Sequence, residues 1–235
     1  MEMAETHTCE AHQQIKQNLK RHTIVMLKDN KIKNIVFDLG GVLVGLDNCR
    51  CIEAFRQIGA HDIIHYIKEH KVEDLFLEQE LGIIDTDAFC EKFRAIANCK
   101  ASNGEICHAW NQLLTGIPQM KKNRILELRN KYRVFLLSNT NDIHWRKCSD
   151  DFLSDDSHTA EDFFEQVFLS YRMGIAKPDI RIFMQLLQQG HMRAEETLFV
   201  DDSSINCHAA RQLGIKTLHE TTGTDWLSAL NTEDL

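Results

Sequence analysis

Five side chains in this sequence have the types and settings to do chemistry on an anion: Asp38, Ser138, Lys177 and the adjacent pair Asp201 and Asp202. Each stands at or just beyond a short apolar run, namely Asn34-Ile-Val-Phe-Asp38, Arg133-Val-Phe-Leu-Leu-Ser138 and Thr197-Leu-Phe-Val-Asp-Asp202. Lys177, in Gly174-Ile-Ala-Lys-Pro-Asp179, follows the run Val167-Phe-Leu-Ser170 by a short turn. Singly, each has an ordinary reading: Asp38 as a turn former, Ser138 and Asp202 as helix caps, Lys177 as a surface cation. Together they supply a nucleophilic carboxylate, a hydroxyl donor, a fixed cation and a second carboxylate able to share a divalent ion. Phosphoryl transfer needs that combination. A phosphate ester resists attack by an anion until its oxygens are neutralised, which Mg²⁺, a lysine and backbone N–H groups do jointly. Carboxylate, carbonyl and water oxygens are the hard ligands that suit Mg²⁺.

Such side chains act only if the fold carries them to one place. The apolar runs suit strands buried on both faces, and Lys216-Thr-Leu218 reads the same way. Between the later runs lie segments with apolar residues at helical spacing: Ile180, Phe183, Met184 and Leu187, then Ala209, Ala210 and Leu213. Strand and helix in alternation predict an α/β fold with a doubly wound parallel sheet, whose ligands collect at the carboxyl ends of the strands. Residues 48–119 differ. They show helical periodicity without a strand, through Ile52, Phe55, Ile58, Ile64, Ile67, Phe89, Phe93, Ile96, Trp110 and Leu113, and read as an inserted helical lobe. Gly82, Gly104 and Gly116 punctuate it, and Asp85 or Thr86 is placed to cap the helix through Phe93. The expected organisation is an N-terminal extension over 1–31, a sheet core from 32–47 and 120–235, and the lobe at 48–119. Within the extension, Ile15 and Leu19 could belong to one short polar helix; the acidic stretch from Asp150 to Glu165 reads as a solvated loop and helix start.

Composition narrows the partners. The chain has 235 residues, 43% of them hydrophobic, and a net charge of −8. A chain this long can bury roughly 70–75% of its unfolded surface, enough for one large core with a smaller lobe. The acidic balance offers no counterion-releasing surface for nucleic acid. No window reaches the roughly 18–20 apolar residues of a membrane span, and the first residues are acidic and polar with no signal-peptide core. The eight cysteines are scattered without a C-x-x-C pair and suit free thiols in a reducing compartment, so the protein is read as cytoplasmic. Cys49 with Cys51, or His61 with His65, could offer two metal ligands, but neither has a matching second pair.

The stretches Ile35-Val-Phe-Asp-Leu-Gly-Gly-Val-Leu43, Phe135-Leu-Leu-Ser-Asn-Thr-Asn141, Ala176-Lys-Pro-Asp179 and Phe199-Val-Asp-Asp-Ser-Ser-Ile-Asn206 resemble the four motifs of the haloacid dehalogenase (HAD) superfamily. The resemblance covers residues 32–230 and implies a Rossmann-like core. The inserted lobe resembles that superfamily's C1 cap, and the Asp-Leu-Gly-Gly and Ser-Asn-Thr-Asn stretches are similar to those of bacterial sugar-1-phosphatase-like members. It implies a Mg²⁺-dependent phosphatase acting on a small phosphorylated metabolite such as a sugar phosphate, with Asp38 attacking phosphorus to form an aspartyl phosphate. Asp38, the Gly40 carbonyl and Asp202 would hold the metal, while Asp201 and Asn206 orient water or Lys177. Ser138, with the N–H groups of Asn139 and Gly41, would grip the phosphoryl oxygens, and Lys177 would pair with both nucleophile and phosphate. Arg50, at the entrance to the lobe, is the first candidate for a substrate contact.

One departure stands out. Most superfamily phosphatases carry a second aspartate two residues after the nucleophile, and here that position is Gly40. Loss of a positioned acid or base typically costs about 10²–10⁴-fold. The expectation is a substrate with a good leaving group, such as an anomeric sugar phosphate or aryl phosphate, or a substitute acid, for which Asp47 and His144 are candidates. Asn141 and His144 follow the phosphate-binding turn and could face the leaving group, with a helix-capping role for Asn141 or Asp142 as the plainer alternative; Trp110 and Phe93 read as lobe core. Two other functions fit part of the pattern: a metal-independent 2-haloacid dehalogenase, which also lacks the second aspartate, and a non-catalytic phosphate-binding protein. The adjacent Asp201 and Asp202 favour a metal site over a haloacid site, where two more carboxylates would repel the nucleophile.

Overall fold

The computed structural model describes residues 31–63, 73–153 and 160–230. The expectations for residues 1–30, for Ile64, His65 and Ile67 and for the middle of the acidic stretch lie outside the described residues. Five parallel strands, β1 (Asn34–Phe37), β2 (Arg133–Ser138), β3 (Gln166–Leu169), β4 (Thr197–Asp201) and β5 (Lys216–His219), form a sheet in the order β3-β2-β1-β4-β5. Between their polar ends β1 to β4 are apolar at successive positions, because both faces of the sheet are covered. Ile35, Phe37, Leu136 and Val200 pack with Ile125, Leu128 and Trp226 on one side. Val36, Phe135, Leu137 and Phe199 meet Ile182, Phe183, Leu186 and Ala210 on the other. With β1 central and the chain winding outward both ways, the carboxyl ends of β1 and β4 flank the switch point where a doubly wound sheet opens a crevice.

The lobe is helical: α1 (Asn48–Gln57), α2 (Glu73–Glu80), α3 (Thr86–Ala97) and α4 (Asn103–Asn111) enclose a core of their own around Phe55, Phe89, Phe93 and Ile106. Asp47 caps α1 and Asp85 caps α3 through their side chains, and Ser102 with Glu105 makes a reciprocal capping box on α4. Gly104 therefore lies in the first turn of a helix and does not separate two. Cys49 is exposed and Cys51 buried, so the C-x-C pair faces two ways and cannot close on one ion. The chain enters and leaves the lobe side by side: Leu46 and Leu114 bridge in antiparallel fashion, and Asp47 N–H donates to the Leu113 carbonyl at 2.8 Å.

The remaining helices cover the sheet: α5 (Gln119–Arg129), α6 (Asp142–Leu153), α7 (Ala160–Phe163), α8 (Ser170–Met173), α9 (Ile180–Gln189), α10 (Ser204–Gln212) and α11 (Asp225–Ala229). In α9 the buried stripe is Ile182, Phe183 and Leu186, while Met184 is 54% exposed. Two overlapping apolar stripes fit that segment equally well in sequence, and only its contact with the sheet selects one.

Candidate active site

The site is assembled by the register of the central strands. Asp38 follows β1 directly and its N–H donates to the Val200 carbonyl at 2.9 Å, which sets it beside Asp201 at the end of β4. Lys177 returns from the loop after α8 and places its ammonium between them, 2.8 Å from Asp38 Oδ1 and 2.6 Å from Asp201 Oδ2, with a further bond to the Leu137 carbonyl at 3.1 Å. Lys177 and Asp201 are buried and Asp38 is 7% exposed. The loop bearing Lys177 is fastened by a side chain that sequence reasoning valued only for its backbone. Asn139 Nδ2 donates to the Lys177 carbonyl and Asn139 Oδ1 accepts the Lys177 N–H, each at 2.8 Å.

The charges of this cluster do not balance. Asp38, Asp201 and Asp202 present carboxylate oxygens all within 4.8 Å of one another, with the Lys177 ammonium as the cation in contact. Burial pushes the Asp38 carboxyl up to about 7 against the pull of Lys177, and Asp201 adds to the rise. Burial alone would lower the Lys177 ammonium, but Asp38 and Asp201 outweigh it and hold its pKa above the usual lysine value. Three hard-oxygen groups with surplus negative charge fit a divalent cation of the Mg²⁺ type. Asp201 is already engaged, accepting from Lys177, from Ser203 N–H at 2.8 Å and from Asn206 Nδ2 at 3.0 and 3.3 Å. Asp202 is exposed. It stands so near the turn after β1 that a Cβ on Gly41 would come within 2.1 Å of its Oδ2, and Gly41 also has φ +71°, so glycine is required there on both counts.

Gly41 departs from expectation in one respect. Its N–H donates to the Val44 carbonyl at 2.9 Å, closing the turn after Asp38, and is not directed at a phosphoryl oxygen. The same turn is held from below by two buried donors the sequence did not single out, Lys121 Nζ and Trp226 Nε1, which both reach the Val42 carbonyl, at 2.5 and 3.3 Å. Ser138 ends β2 almost fully buried, its hydroxyl making one long bond of 3.3 Å to the Asn139 carbonyl. Gly40 lies in the turn, where a Cβ would meet only the Leu46 side chain, at 3.5 Å or more, so packing does not demand glycine.

Across from the strand ends, the candidates for a substitute acid are otherwise engaged. Asp47 Oδ1 accepts the Arg50 N–H as the cap of α1. His144 is 7% exposed, its N–H capped by Asn141 and its Nε2 3.3 Å from the Trp110 carbonyl, and burial lowers its pKa to about 4. The ring is neutral, with Nε2–H donating to that carbonyl. Asn141 is thus the helix cap. Arg50 gives its guanidinium to Gln112 in a cleft between α1 and α4 lined also by Ala54 and His108, and no described contact joins it to Asp38. Phe93 is lobe core as expected, and Trp110 packs against that core through Phe55 and Phe76 while its ring also lies 4.5 Å from His144, its Nε1 buried with no hydrogen-bond partner among the described residues. Asn111 Oδ1 and both amide atoms of Gln79 are likewise buried and unpartnered. Sequence reasoning passed over Gln79, Glu80 and Asn111, for which only the polar interruption of an apolar helix face was available as a signal.

A family model for haloacid dehalogenase-like hydrolases matches residues 35–219. The chain is 35% identical over 201 residues to a D-ribitol-5-phosphate phosphatase of Bacteroides thetaiotaomicron, covering 85% of this chain and 97% of that one. A HAD family enzyme of the same organism, solved in complex with magnesium and inorganic phosphate, superimposes with a TM-score of 0.79 at 42% identity, over 83% of this chain and 97% of the other. An L-2-haloacid dehalogenase of Xanthobacter autotrophicus shares the fold, with a TM-score of 0.55 at 18% identity, over 80% of this chain and 77% of its own.

Proposed function

This chain belongs to the haloacid dehalogenase-like hydrolase family, and from that premise we propose that it is a Mg²⁺-dependent phosphatase of a small, hydroxylated phosphate monoester of the sugar or polyol phosphate class. The observation that carries the reading is the cluster of Asp38, Asp201 and Asp202 around one ammonium, with an excess of negative charge that a haloacid site would have no use for. A similar phosphatase of a pentitol phosphate and a similar enzyme solved with magnesium and phosphate support it.

In this reading Asp38, the Gly40 carbonyl and Asp202 hold the metal, which when bound neutralises phosphoryl oxygens and the local surplus of carboxylate charge. Asp38 Oδ attacks phosphorus, and the ester P–O bond breaks as the aspartyl phosphate forms. Lys177, locked by Asp201 and Asn139, pulls Asp38 toward its ionised form and meets the charge that develops on the transferring group. Ser138 turns its hydroxyl from a weak bond to a phosphoryl oxygen, and Asn206 holds Asp201 so that Asp201 holds Lys177. Water then attacks the aspartyl phosphate, releasing phosphate and restoring Asp38.

The lobe is the cap that meets the leaving group. Gln79, Trp110 and Asn111 bury hydrogen-bonding atoms that no described residue meets, each a cost of about 1–3 kcal/mol unless something polar answers it. Hydroxyls of a polyol or sugar do so. Seven cysteines unpaired by disulfides among the described residues agree with a cytoplasmic setting, and no described helix is long and apolar enough to cross a membrane.

The test is phosphate release from a panel of polyol, sugar and aryl phosphates with Mg²⁺ or with chelator, for the native chain and Asp38→Asn. Metal-dependent turnover abolished by the substitution is expected. Halide release from a 2-haloacid without metal, and no phosphate release, would overturn the reading in favour of a dehalogenase; silence in both assays would leave a phosphate-binding protein.

A further inference from the structure

We propose that Glu80, at the end of α2 in the lobe, is the proton donor to the leaving group, supplying the carboxyl that Gly40 cannot; this rests on the phosphatase reading above. The backbone beyond Glu80 turns at Gly82 (φ +66°), packed so closely on the core that an added Cβ would stand 2.1 Å from the Tyr171 carbonyl oxygen. Tyr171 belongs to α8, which begins at Ser170 directly after β3. Ser170 Oγ accepts the Thr140 N–H at 2.9 Å and donates to the Thr140 carbonyl at 3.0 Å. The end of α2 therefore packs against a segment that Ser170 ties to the turn following Ser138, on the same edge of the sheet as the carboxylate cluster.

Glu80 is half-buried at that seam and accepts no hydrogen bond from a described residue. Burial raises its pKa, and the ammonium of Lys177 is near enough to pull the other way. A half-buried carboxyl that has no hydrogen-bond partner among the described residues and stands in the field of the Lys177 ammonium beside Asp38 is placed to act as a general acid. Its competitors are committed: Asp47 caps a helix, Asp201 binds Lys177, His144 is neutral against a carbonyl, and Asp142 pairs with Arg146 at 2.8 Å.

The proton balance closes on this one group. As Asp38 Oδ bonds to phosphorus and the ester bond breaks, the departing oxygen takes the Glu80 proton and leaves as a neutral alcohol. When water attacks the aspartyl phosphate, its proton returns to the Glu80 carboxylate as the Asp38–phosphorus bond breaks. Ester and water become alcohol and phosphate with both carboxyls restored.

The experiment compares kcat/KM, which reports the first half-reaction, on a nitrophenyl phosphate and on a polyol phosphate for the native chain, Glu80→Gln and Asp38→Asn. A nitrophenolate departs without a proton and an alkoxide does not. Glu80→Gln is expected to lower kcat/KM on the polyol phosphate by about 10²–10⁴-fold and on the nitrophenyl phosphate by less than roughly tenfold. The surviving aryl rate also shows that the variant is folded with Asp38 in place. Equal losses on both esters, or no loss on the polyol phosphate, would overturn the assignment while leaving the phosphatase reading intact. Failure of the native chain on both esters would overturn that reading and this assignment with it.

Discussion

At the sheet edge, Lys177, Asp38, Asp201, Asn139 and Asn206 hold one another through contacts of 2.6 to 3.3 Å, whereas across the seam Gln79, Trp110 and Asn111 bury polar atoms that no described residue meets. On the proposed phosphatase reading, the difference follows from what each region would recognise. The phosphoryl group and the charge it develops are the same for every ester, so the groups that meet it can be held in place beforehand by their own neighbours. The leaving group is what distinguishes one ester from another, and atoms reserved for it must stay unanswered in its absence. The lobe carries that cost in stability, and the core carries the cost of crowding like charges.

Breaking the core side should have the largest effect. Lys177→Met leaves Asp38 and Asp201 buried without their cation and is expected to destabilise the fold by about 3–5 kcal/mol, besides ending turnover. Denaturant midpoints of the two proteins measure it, and a loss under about 1 kcal/mol would mean that the cluster shares its charge with solvent far more than its burial suggests.

The seam titrates. His144 is held at about 4 by burial against an ordinary 6.5, so between those values the unfolded chain takes up a proton that the folded one refuses. The stability contributed by the neutral ring is complete above about pH 6.5 and is lost as pH falls toward 4, on the order of 3 kcal/mol in all. His144→Gln should flatten that acid limb in pH-dependent unfolding; an unchanged limb would place the seam's acid sensitivity elsewhere.

The smallest effect sharpens the contrast from the lobe side. Gln79→Leu replaces an unanswered amide with an apolar group and should raise stability by about 1 kcal/mol while lowering kcat/KM on a polyol phosphate. Gain of stability and loss of activity in one substitution would mark Gln79 as reserved for substrate. Equal activity with higher stability would reduce it to a packing flaw.

Much of the core was legible because its signals are local. The five apolar runs end within a residue or two of the observed strands, and Asp38, Ser138 and Asp201 stand at the carboxyl ends because a parallel sheet covered on both faces keeps its middle positions apolar. The cap at Asp85 could be read for the same reason, since a cap and its helix are adjacent in sequence. The lobe was legible only as helices. Which of its residues face the crevice depends on helix packing, and so Arg50, read as a substrate contact, is captured by Gln112, while Glu80 and Gln79 went unremarked. His144 shows the same limit: its residue type promised acid chemistry, and burial against the Trp110 carbonyl removes it.

By itself the sequence determined the order of strands and helices, the presence of a nucleophile, a cation and paired carboxylates, and the lack of a carboxyl at Gly40. These are matters of residue type and period. Only the tertiary structure decided that Asp201 bonds Lys177 while Asp202 is exposed, that the Gly41 amide closes its own turn, and that the turn after α2 packs against Tyr171. Each of those joins residues far apart in the chain through strand register or helix packing, and a hydrogen bond or a field at a few ångströms depends on distance in space, which spacing in sequence does not record.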